Sequence, residues 1–305
     1  MPATAAKQSA TIKVGRRAVP ISNPQKILYP DAGFTKGQVL DYYAKISPVL
    51  MPHLKGRPLT LKRYPNGVKG PFFYEKMCPT HRPEWVTTTR MKTTNRDIDF
   101  CVVSDPSILV WVANLASLEL HTLLARDADL NRPTFMVFDH DPGEGTGLLD
   151  CCKVAIKFRA MLEKLGLESF PKTSGGKGLH LYVPLNTKVT FEETKAFSHA
   201  AAGLLEREDP KRITTVMRKD LRKGKVFLDW SQNDDHKTTV CVYSLRARPR
   251  PTISTPVTWD EVEKAVKKGD ASPLVFEAAD VLKRVDKHGD LFEPVLKVKQ
   301  KLPGV

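Results

Sequence analysis

The order of strand and helix patterns from Phe135 onward constrains the fold of this 305-residue chain most strongly. Residues 135–138 form a continuous apolar run typical of a buried strand, and residues 148–165 place apolar side chains on one helical face. The elements that follow are predicted as strands at 169–173 and 179–183, a helix that begins after a Thr190–Glu193 capping box and continues to about 206, and a strand at 226–230. This β-α-β-β-α-β order predicts a ferredoxin-like module of the α/β (α+β) class.

The flanking segments carry weaker patterns of the same kinds. They are predicted as strands at 11–14, 18–21, 59–64, 70–76, 97–103 and 238–245, and as helices at 36–50, 108–124, 259–268 and 273–285. The chain then divides into a flexible lead with the first strands at 1–20, an N-terminal α/β module at 21–130, the ferredoxin-like module at 131–257 and a helical segment at 258–305. We expect these parts to form one compact domain.

Composition narrows the classes of function. The chain has 48 Lys and Arg against 34 Asp and Glu, and this net charge of +14 favours a polyanionic partner such as nucleic acid. The N-terminus lacks the apolar core of a signal peptide, and no apolar run reaches membrane-spanning length. The five cysteines show no Cys-x-x-Cys spacing, so we expect a reducing compartment and no disulfide framework. Cys78 and His81 have zinc-like spacing, but a second ligand pair is missing.

Two carboxylates, Asp139 and Asp141, follow the first apolar strand of the ferredoxin-like module, and strand alternation puts both on one face. A second apolar strand ends in Asp229, and in a ferredoxin-like sheet this last strand can lie beside the first. Three converging carboxylates suit two Mg²⁺ or Mn²⁺ ions, which can clamp the attacking and leaving oxygens of an in-line displacement. The alternatives are a solvated turn at Asp139 and Asp141, and an isolated strand-end carboxylate at Asp229.

A glycine-rich segment, Ser174-Gly-Gly-Lys-Gly178, joins two of the predicted strands. Its glycines let backbone N–H groups approach phosphate oxygens, and Lys177 adds positive charge. Ser174, Lys177 and His180 can therefore all face a triphosphate held by the metals. The alternative interpretation is a plain glycine hairpin turn.

Basic residues cluster on both sides of the Asp229 strand, which favours phosphate binding over a merely solvated charged face. They are Arg218, Lys219, Arg222, Lys223, Lys225, Arg246, Arg248 and Arg250. An aromatic run, Phe72–Tyr74, lies near Lys62 and Arg63 in the predicted order of strands. Aromatic rings among basic residues can stack on bases, and core packing explains the run equally well.

Three motifs, in order and spacing, are highly specific. They are Phe138-Asp-His-Asp141, Thr173-Ser-Gly-Gly-Lys-Gly-Leu-His180 and Phe227-Leu-Asp-Trp-Ser-Gln-Asn233. With them the chain, from about Ile21 to Leu291, resembles the polymerase domain of bacterial and archaeal end-joining ligase D, in the archaeo-eukaryotic primase superfamily. The resemblance implies an archaeo-eukaryotic primase-like fold and a nucleotidyl transferase of non-homologous end joining. Such an enzyme is a DNA-directed primase-polymerase that fills gaps and extends broken ends, prefers ribonucleotides and uses two Mn²⁺ or Mg²⁺ ions.

The resemblance also implies roles for individual residues. Asp139, Asp141 and Asp229 are the implied catalytic metal ligands, and His140 should point away from the metals. The incoming nucleotide should be bound by Lys62, His121, Ser174, Lys177, His180, Arg222, Arg246 and Arg248. Of these, Lys62 and Ser174 should lie near the 2′-hydroxyl. Phe73 and Tyr74 match the pair of aromatic residues that stacks on DNA.

The segment from Asn23 to Lys36 resembles the family's pocket for the 5′-phosphate of a gapped or recessed end, with Asn23, Lys26 and Lys36 as its residues. A tight turn between the two lysines can bring their ammonium groups together. The helix start near Thr35 is expected to add free backbone N–H groups to this anion site.

The implied partners are DNA with 5′-phosphorylated ends or gaps, NTPs or dNTPs, Ku and an end-joining DNA ligase. The implied location is the cytoplasm, at the nucleoid, without membrane attachment. Ligase and nuclease domains do not accompany the three motifs, so we expect a stand-alone form or an excised domain.

Two rival functions stay open on these residues. A non-catalytic basic DNA-end binding module, with carboxylates that are only structural, would carry the same charge. A true primase, which makes primers de novo, would use the same metal ligands. Metal-dependent nucleotide incorporation distinguishes the first rival from an enzyme, and a primer-free template assay distinguishes the second.

Overall fold

The computed structural model describes residues 9–92 and 96–303, so residues 1–8 of the predicted lead lie outside the described part of the chain. The strands are β1 Ser9–Val14, β2 Arg17–Ser22, β3 Ile27–Tyr29, β4 Phe34–Thr35, β5 Pro58–Arg63, β6 Phe73–Glu75, β7 Thr88–Lys92, β8 Asp97–Val102, β9 Ser117–Leu123, β10 Ala125–Arg126, β11 Asp129–Pro133, β12 Phe135–Pro142, β13 Phe170–Thr173, β14 Leu179–Pro184, β15 Ile213–Thr214, β16 Val226–Asp229 and β17 Thr238–Val240. The helices are α1 Lys36–Leu54, α2 Pro106–Asn114, α3 Leu148–Lys164, α4 Phe191–Glu208, α5 Trp259–Lys268, α6 Ala278–His288 and α7 Pro294–Lys297. Among these described helices, none is long and apolar enough to cross a membrane.

The sheet that carries the aspartates has the strand order β13-β14-β12-β16-β15. Its central strand, β12, is antiparallel to β14 on one side and to β16 on the other. Helices α3 and α4 pack against β12, and α4 begins at the predicted capping box, where the Thr190 N–H donates to Glu193 Oε2 at 2.7 Å. This arrangement confirms the ferredoxin-like module, with its last strand beside its first.

A second large sheet has the order β17-β9-β5-β8-β7, and the short strand β6 also pairs with β5. Helices α1 and α2 pack together beside this sheet, and Leu59, Leu118 and Leu120 are buried in its core. Strand β17 follows β16 in the chain but pairs with β9. The segment that leaves the Asp229 strand therefore joins the other sheet, and a cleft lies between the two.

The prediction of a buried helix at 108–124 is wrong for the second half of that segment. Helix α2 ends at Asn114, Ala116 adopts a left-handed backbone conformation with a φ of 58°, and the chain continues as β9. An apolar run of this length does not distinguish a buried helix from a buried strand by periodicity. Pairing with β5, which lies more than fifty residues earlier in the chain, decides the outcome. As a result, Glu119 and His121 lie on the same face of a strand.

The helix predicted at 273–285 is divided in the structure. A 3-10 turn at Ser272–Leu274 precedes α6, which begins at Ala278 and ends at His288. A β-bridge between Thr252 and Glu277 keeps the backbone extended just before α6, and the Glu277 N–H donates to Asp280 Oδ2 at 3.0 Å. The first predicted helix of this segment, α5, has the predicted bounds.

The expectation of no disulfide is wrong for one pair, because Cys78 and Cys101 are joined. The Cys78 N–H donates to Asp99 O at 2.7 Å, so the chain after β6 lies alongside β8 and the two sulfurs meet. This pairing uses the sulfur that a zinc site at Cys78 and His81 would need. The other three cysteines are free and buried: Cys151, Cys152 and Cys241.

Candidate active site

The pairing of β12 with β16 brings the three predicted aspartates to one face. Asp139 lies directly opposite Asp229 in the antiparallel register, and Asp141 follows Asp139 by two residues. His140, between them, is fully buried on the other face, where its ring lies 6.1 Å from that of Phe158. The side chain of His140 therefore points away from the aspartates, as expected.

Asp139 is in an electrostatic setting that favours a bound cation. Its Oδ1 is buried and receives no hydrogen bond from the described residues, although His180 Nε2 lies 3.2 Å away. Burial, together with the charges of Asp141 and Asp229, raises the pKa of Asp139 well above its usual range. Burial and the charge of Asp229 raise the pKa of Asp141 as well. Neighbouring carboxylates of this kind suit hard divalent ions such as Mg²⁺ and Mn²⁺.

The third aspartate has partners of its own. Asp229 Oδ1 accepts from the Ser231 N–H at 2.9 Å, and Asp229 Oδ2 accepts from Gln232 Nε2 at 2.8 Å. Both carboxylate oxygens of Asp229 are thus bonded to the segment that follows β16. Among the residues that the structure describes, three ligand atoms lie within 4.8 Å of one another at Asp234, Asp235 and His236, of which the last two are exposed. Sequence reasoning did not single out that group, and its exposure gives it no stronger case as the metal site.

A cleft of about 550 Å³ opens over Asp139 and Asp141. Most residues predicted to bind the nucleotide line this cleft. They are His121, Ser174, Lys177, His180, Arg246 and Arg248, with Tyr74 at the edge. Two other predicted residues lie next to the lining: the Nζ of Lys62 lies 5.4 Å from the centre of the Tyr74 ring, and Asp229 contacts Gln232. Both Tyr74 and Gln232 line the cleft.

Arg222, like Lys62, is a predicted nucleotide ligand that does not line the cleft. Its guanidinium donates to the carbonyl oxygens of Val216 and Met217 and lies 3.5 Å from the centre of the Phe227 ring. The positive charge of Arg222 lowers the pKa of Asp141, although burial raises that pKa by a larger amount. Arg222 is thus near the aspartates and held by its own loop.

The glycine-rich segment is built differently from its predicted form. Ser174 Oγ accepts from the N–H groups of Gly176 and Gly178, both at 3.1 Å, so these two donors are already used inside the turn. A Cβ at Gly176 would lie 2.5 Å from Arg248 Nη2, and a Cβ at Gly178 would lie 2.4 Å from the His140 carbonyl oxygen. The glycines therefore admit a guanidinium and a neighbouring strand, and the expected phosphate-facing N–H groups of Gly176 and Gly178 are occupied.

His180 is oriented by a residue for which the sequence predicted no role. Lys172 is fully buried, and its Nζ lies 3.1 Å from His180 Nδ1 and 2.6 Å from Ser254 Oγ. Burial and the charge of Arg246 lower the pKa of Lys172 to about 7. When Lys172 is protonated its ammonium can only donate, so Nδ1 of His180 then accepts and the ring proton lies on Nε2, which faces Asp139.

Glu119 is the second residue that sequence reasoning missed. It is buried behind the cleft, and its carboxylate lies 3.0 Å from His121 Nε2 and 3.3 Å from Arg246 Nε. The prediction of a helix at 108–124 did not place Glu119 on a strand. Had β9 been recognised as a strand, alternation would have placed Glu119 beside His121.

The two predicted stacking residues have different surroundings. Tyr74 is 56% exposed, and its ring centre lies 6.0 Å from that of His121, at the edge of the cleft. Phe73 is 45% exposed and lies against the guanidinium of Arg63 at 5.1 Å. Phe72 is also exposed and packs 6.0 Å from Tyr74, so the aromatic surface beside the cleft includes Phe72.

The N-terminal segment brings the two predicted phosphate-binding lysines together through its backbone. The Lys36 N–H donates to Lys26 O at 2.8 Å, and Asn23, with a φ of 51°, accepts from the Lys26 N–H at 3.0 Å. The Lys26 ammonium donates to Asn66 Oδ1 at 3.0 Å, and that of Lys36 donates to Ser22 O at 2.7 Å.

The structure contradicts the expectation of free backbone N–H groups at the start of α1. The Lys36 N–H is bonded to Lys26 O, the Gly37 N–H donates to Pro24 O at 2.7 Å, and the Gln38 N–H donates to Thr35 Oγ1 at 3.3 Å. The loop before the helix supplies acceptors for its first turn. Phosphate binding here would therefore depend on the two lysine side chains.

The chain matches a known protein family. The family model described as "LigD, primase-polymerase domain" matches residues 35–292. The chain is similar to the multifunctional non-homologous end joining protein LigD of Mycolicibacterium smegmatis, with 43% identity over 279 residues that cover 91% of this chain and 36% of that protein. It is also similar to the bifunctional non-homologous end joining protein LigD of Bacillus subtilis, with 31% identity over 87% of this chain and 42% of that protein. The chain thus spans less than half the length of these relatives.

A solved structure gives the same result for the fold. The chain is similar to the polymerase domain from Mycobacterium tuberculosis ligase D in complex with DNA, with a TM-score of 0.85, 37% sequence identity, and coverage of 92% of this chain and 98% of that chain. These matches confirm the predicted resemblance and the archaeo-eukaryotic primase-like fold. The family model covers most of the chain, and this chain therefore belongs to the LigD primase-polymerase family of nucleotidyl transferases.

Proposed function

We propose that this chain is a template-reading polymerase that adds nucleotides, preferably ribonucleotides, at gapped or broken DNA ends during non-homologous end joining. One observation supports this most directly: Asp139 and Asp141 line a cleft that also holds Lys177, Arg246 and Arg248. Carboxylates that suit divalent cations and side chains that suit phosphates line the same cavity. A metal-bound triphosphate needs both.

In this proposal Asp139, Asp141 and Asp229 hold two divalent ions, Mn²⁺ or Mg²⁺. Such ions, when bound, stabilise the charge that develops on the attacking and leaving oxygens of phosphoryl transfer. The buried Oδ1 of Asp139, which accepts no hydrogen bond from the residues that the structure describes, supports the role of Asp139 as a cation ligand. His180 lines the cleft beside Asp139, and Lys177 adds a positive charge to bind the triphosphate.

The remaining cleft residues divide between phosphates and sugar. Arg246 and Arg248 are the proposed phosphate ligands, because guanidinium groups match phosphate oxygens in charge and geometry. Lys62, His121 and Ser174 are the proposed sugar-side residues. Arg222, held by its own loop, is a proposed nucleotide ligand that rests on the motif match alone.

The DNA lies, in this proposal, across the aromatic surface and the N-terminal segment. Phe73 and Tyr74 stack on bases, and Asn23, Lys26 and Lys36 bind a 5′-phosphate. The solved M. tuberculosis domain is a complex with DNA, which supports a DNA substrate here. We further propose Ku and an end-joining DNA ligase as partners, and the cytoplasm, at the nucleoid, as the place of action.

Primer extension on a gapped duplex tests this function against its rivals. We expect incorporation of NTPs opposite the template with Mn²⁺ or Mg²⁺ and none after chelation of the metal. A basic DNA-end binding module would bind the same duplex without incorporation. A de novo primase would instead make product on a template that carries no primer.

A further inference from the structure

Glu119 is a buried carboxylate behind the cleft that the proposed chemistry does not use. Only 2% of its surface is exposed. Its Oε2 lies 3.0 Å from His121 Nε2 and 3.3 Å from Arg246 Nε. Its Oε1 lies 3.6 Å from Lys62 Nζ and accepts from the Ala247 N–H at 3.1 Å. One side chain thus contacts three of the proposed nucleotide ligands.

The strand register produces this convergence. Lys62 on β5 lies directly opposite Glu119 on β9, and His121 follows Glu119 by two residues on the same face. Burial raises the pKa of Glu119, but the hydrogen bond from His121 and the charges of Arg246 and Lys62 outweigh burial and hold the pKa below its usual range. Glu119 is therefore ionised at neutral pH and offsets the mutual repulsion of the cations around it.

The three contacts differ in how much they depend on Glu119. Arg246 is also held by the Ser174 carbonyl oxygen, to which its Nη1 donates. Lys62 is otherwise positioned by aromatic rings, with its Nζ 4.4 Å from the centre of Phe72. Loss of the carboxylate should therefore release Lys62 and His121 more than Arg246.

We propose that Glu119 is a positioning residue that sets the preference for ribonucleotides, by holding Lys62 and His121 in place on the sugar side of the cleft. The proposal rests on the proposed polymerase function. A site built to bond a hydroxyl discriminates against a substrate that lacks it, and this discrimination requires donors that are held in position. Glu119 itself lies behind these donors and touches neither substrate nor metal.

The test is the ratio of kcat/KM for ATP to kcat/KM for dATP opposite template T, measured for the wild type and for Glu119→Gln. The substitution keeps the shape and an acceptor for the Ala247 N–H and removes the charge. We expect the ratio to fall about tenfold, mainly through a loss with ATP, because one charge-assisted contact to the sugar is lost. Glu261→Gln is the matched control, because it removes a carboxylate that pairs with Arg284 in the C-terminal helices. Its ratio should stay at the wild-type value.

A double-mutant cycle with Lys62→Met distinguishes positioning from a general structural effect. If Glu119 acts through Lys62, Glu119→Gln should change the ratio much less in the Lys62→Met background. A merely structural role would lower ATP and dATP incorporation equally and leave the ratio unchanged, which would overturn the proposal. If the Gln variant melts below the assay temperature, Glu119→Asp keeps the charge but is too short to reach Lys62 and Ala247 together. The ratio should fall in this variant too, and an unchanged ratio would again overturn the proposal.

The same experiment separates this proposal from the proposed function. A wild-type chain that incorporates neither ATP nor dATP would refute the polymerase function, and the positioning role with it. A wild-type chain that prefers ATP, with an unchanged ratio in the Glu119 variants, would refute only the role of Glu119.

Discussion

Phosphate binding by the N-terminal segment, as proposed above, should depend on the charge of Lys36. The side chain is buried, and its ammonium donates to both the carbonyl and the hydroxyl oxygen of Ser22. Burial, with the charges of Lys26 and Arg63, lowers the pKa of Lys36 to about 8. Lys36 is therefore protonated at neutral pH. Unlike an exposed lysine, it loses its charge in mildly alkaline solution, and we expect phosphate binding to weaken with that loss.

We expect the preference for a 5′-phosphorylated gapped duplex over a 5′-hydroxyl duplex to weaken as pH rises from 7 to about 9.5. Below a pH of about 8 both lysines are charged, and above it Lys36 is neutral. Loss of one charged partner should reduce the preference by about tenfold or more. Titration of both duplexes at fixed salt measures the effect. Lys36→Arg, which stays charged, should keep its preference at high pH, and Lys26→Ala should lack it throughout.

A preference that is constant with pH in the wild type would show that Lys36 does not contact the phosphate. Equal affinities for the two duplexes at neutral pH would remove the pocket from the proposal altogether.

Individual site residues were predictable where a motif or a strand end marked them. Asp139, Asp141 and Asp229 each follow an apolar run, and strand alternation predicts their shared face. Glu119 and Lys172 were not predictable in the same way, because most of the side chains that they contact come from distant parts of the chain. The local sequence around each looks like ordinary strand or helix core.

At the scale of secondary-structure elements, Gly178 allows the glycine-rich turn to pack closely against β12, the strand that carries Asp139 and Asp141. A Cβ added at Gly178 would lie 2.4 Å from the His140 carbonyl oxygen, an atom of the backbone that cannot rotate away. Gly147 offers a contrast, since a Cβ there meets no described atom within 4 Å. Both glycines belong to the same module, and only one of them is required by close packing.

We expect Gly178→Ala to destabilise the protein by about 1–3 kcal/mol and to reduce nucleotide addition, because β14 must move away from β12. Gly147→Ala should change stability by less than about 1 kcal/mol. Denaturant unfolding of the two variants and the wild type measures the difference. Equal stability of the two variants would contradict the close approach between the turn and β12.

The elements were most predictable where local signals agreed with the tertiary structure. Helix α5 has a Thr258–Glu261 capping box and a Gly269 end, and both predicted bounds are found. The segment 108–124 failed because its hydrogen-bond partners lie on β5, and no local signal favours a strand over a continued helix. Short strands such as β15 likewise depend on a neighbour, β16, for their existence.

At the scale of the whole molecule, the C-terminal segment is anchored to α1 through Asp290. Its carboxylate accepts from the Tyr243 hydroxyl and lies 2.8 Å from His53 Nε2, and it also accepts from the Phe292 N–H. Burial raises the pKa of Asp290, but His53 and Tyr243 outweigh burial and lower it below its usual value. The ionised carboxylate therefore stabilises the fold above the unfolded pKa, and this contribution is lost as pH falls through the lower folded pKa.

We expect Asp290→Ala to lower the free energy of unfolding by about 1–3 kcal/mol at pH 7, because buried partners lose their hydrogen bonds. The difference from the wild type should shrink in acid, where Asp290 is protonated. Asp41→Ala is the control, since it removes an exposed pair with Lys45 and should cost less than about 0.5 kcal/mol. A difference that does not depend on pH would contradict the ionised state of Asp290.

The assignment of the metal site is tested by comparing Asp139→Ala with Asp235→Ala in metal-dependent primer extension and in DNA binding. Asp139 is one of the two aspartates that line the cleft, and Asp235 belongs to the separate group of Asp234, Asp235 and His236, which also has metal-like spacing. We expect Asp139→Ala to abolish nucleotide addition and to keep near-wild-type affinity for the gapped duplex, and we expect Asp235→Ala to retain both activities. Extension at near-wild-type rate by Asp139→Ala, or its loss in Asp235→Ala alone, would contradict this assignment.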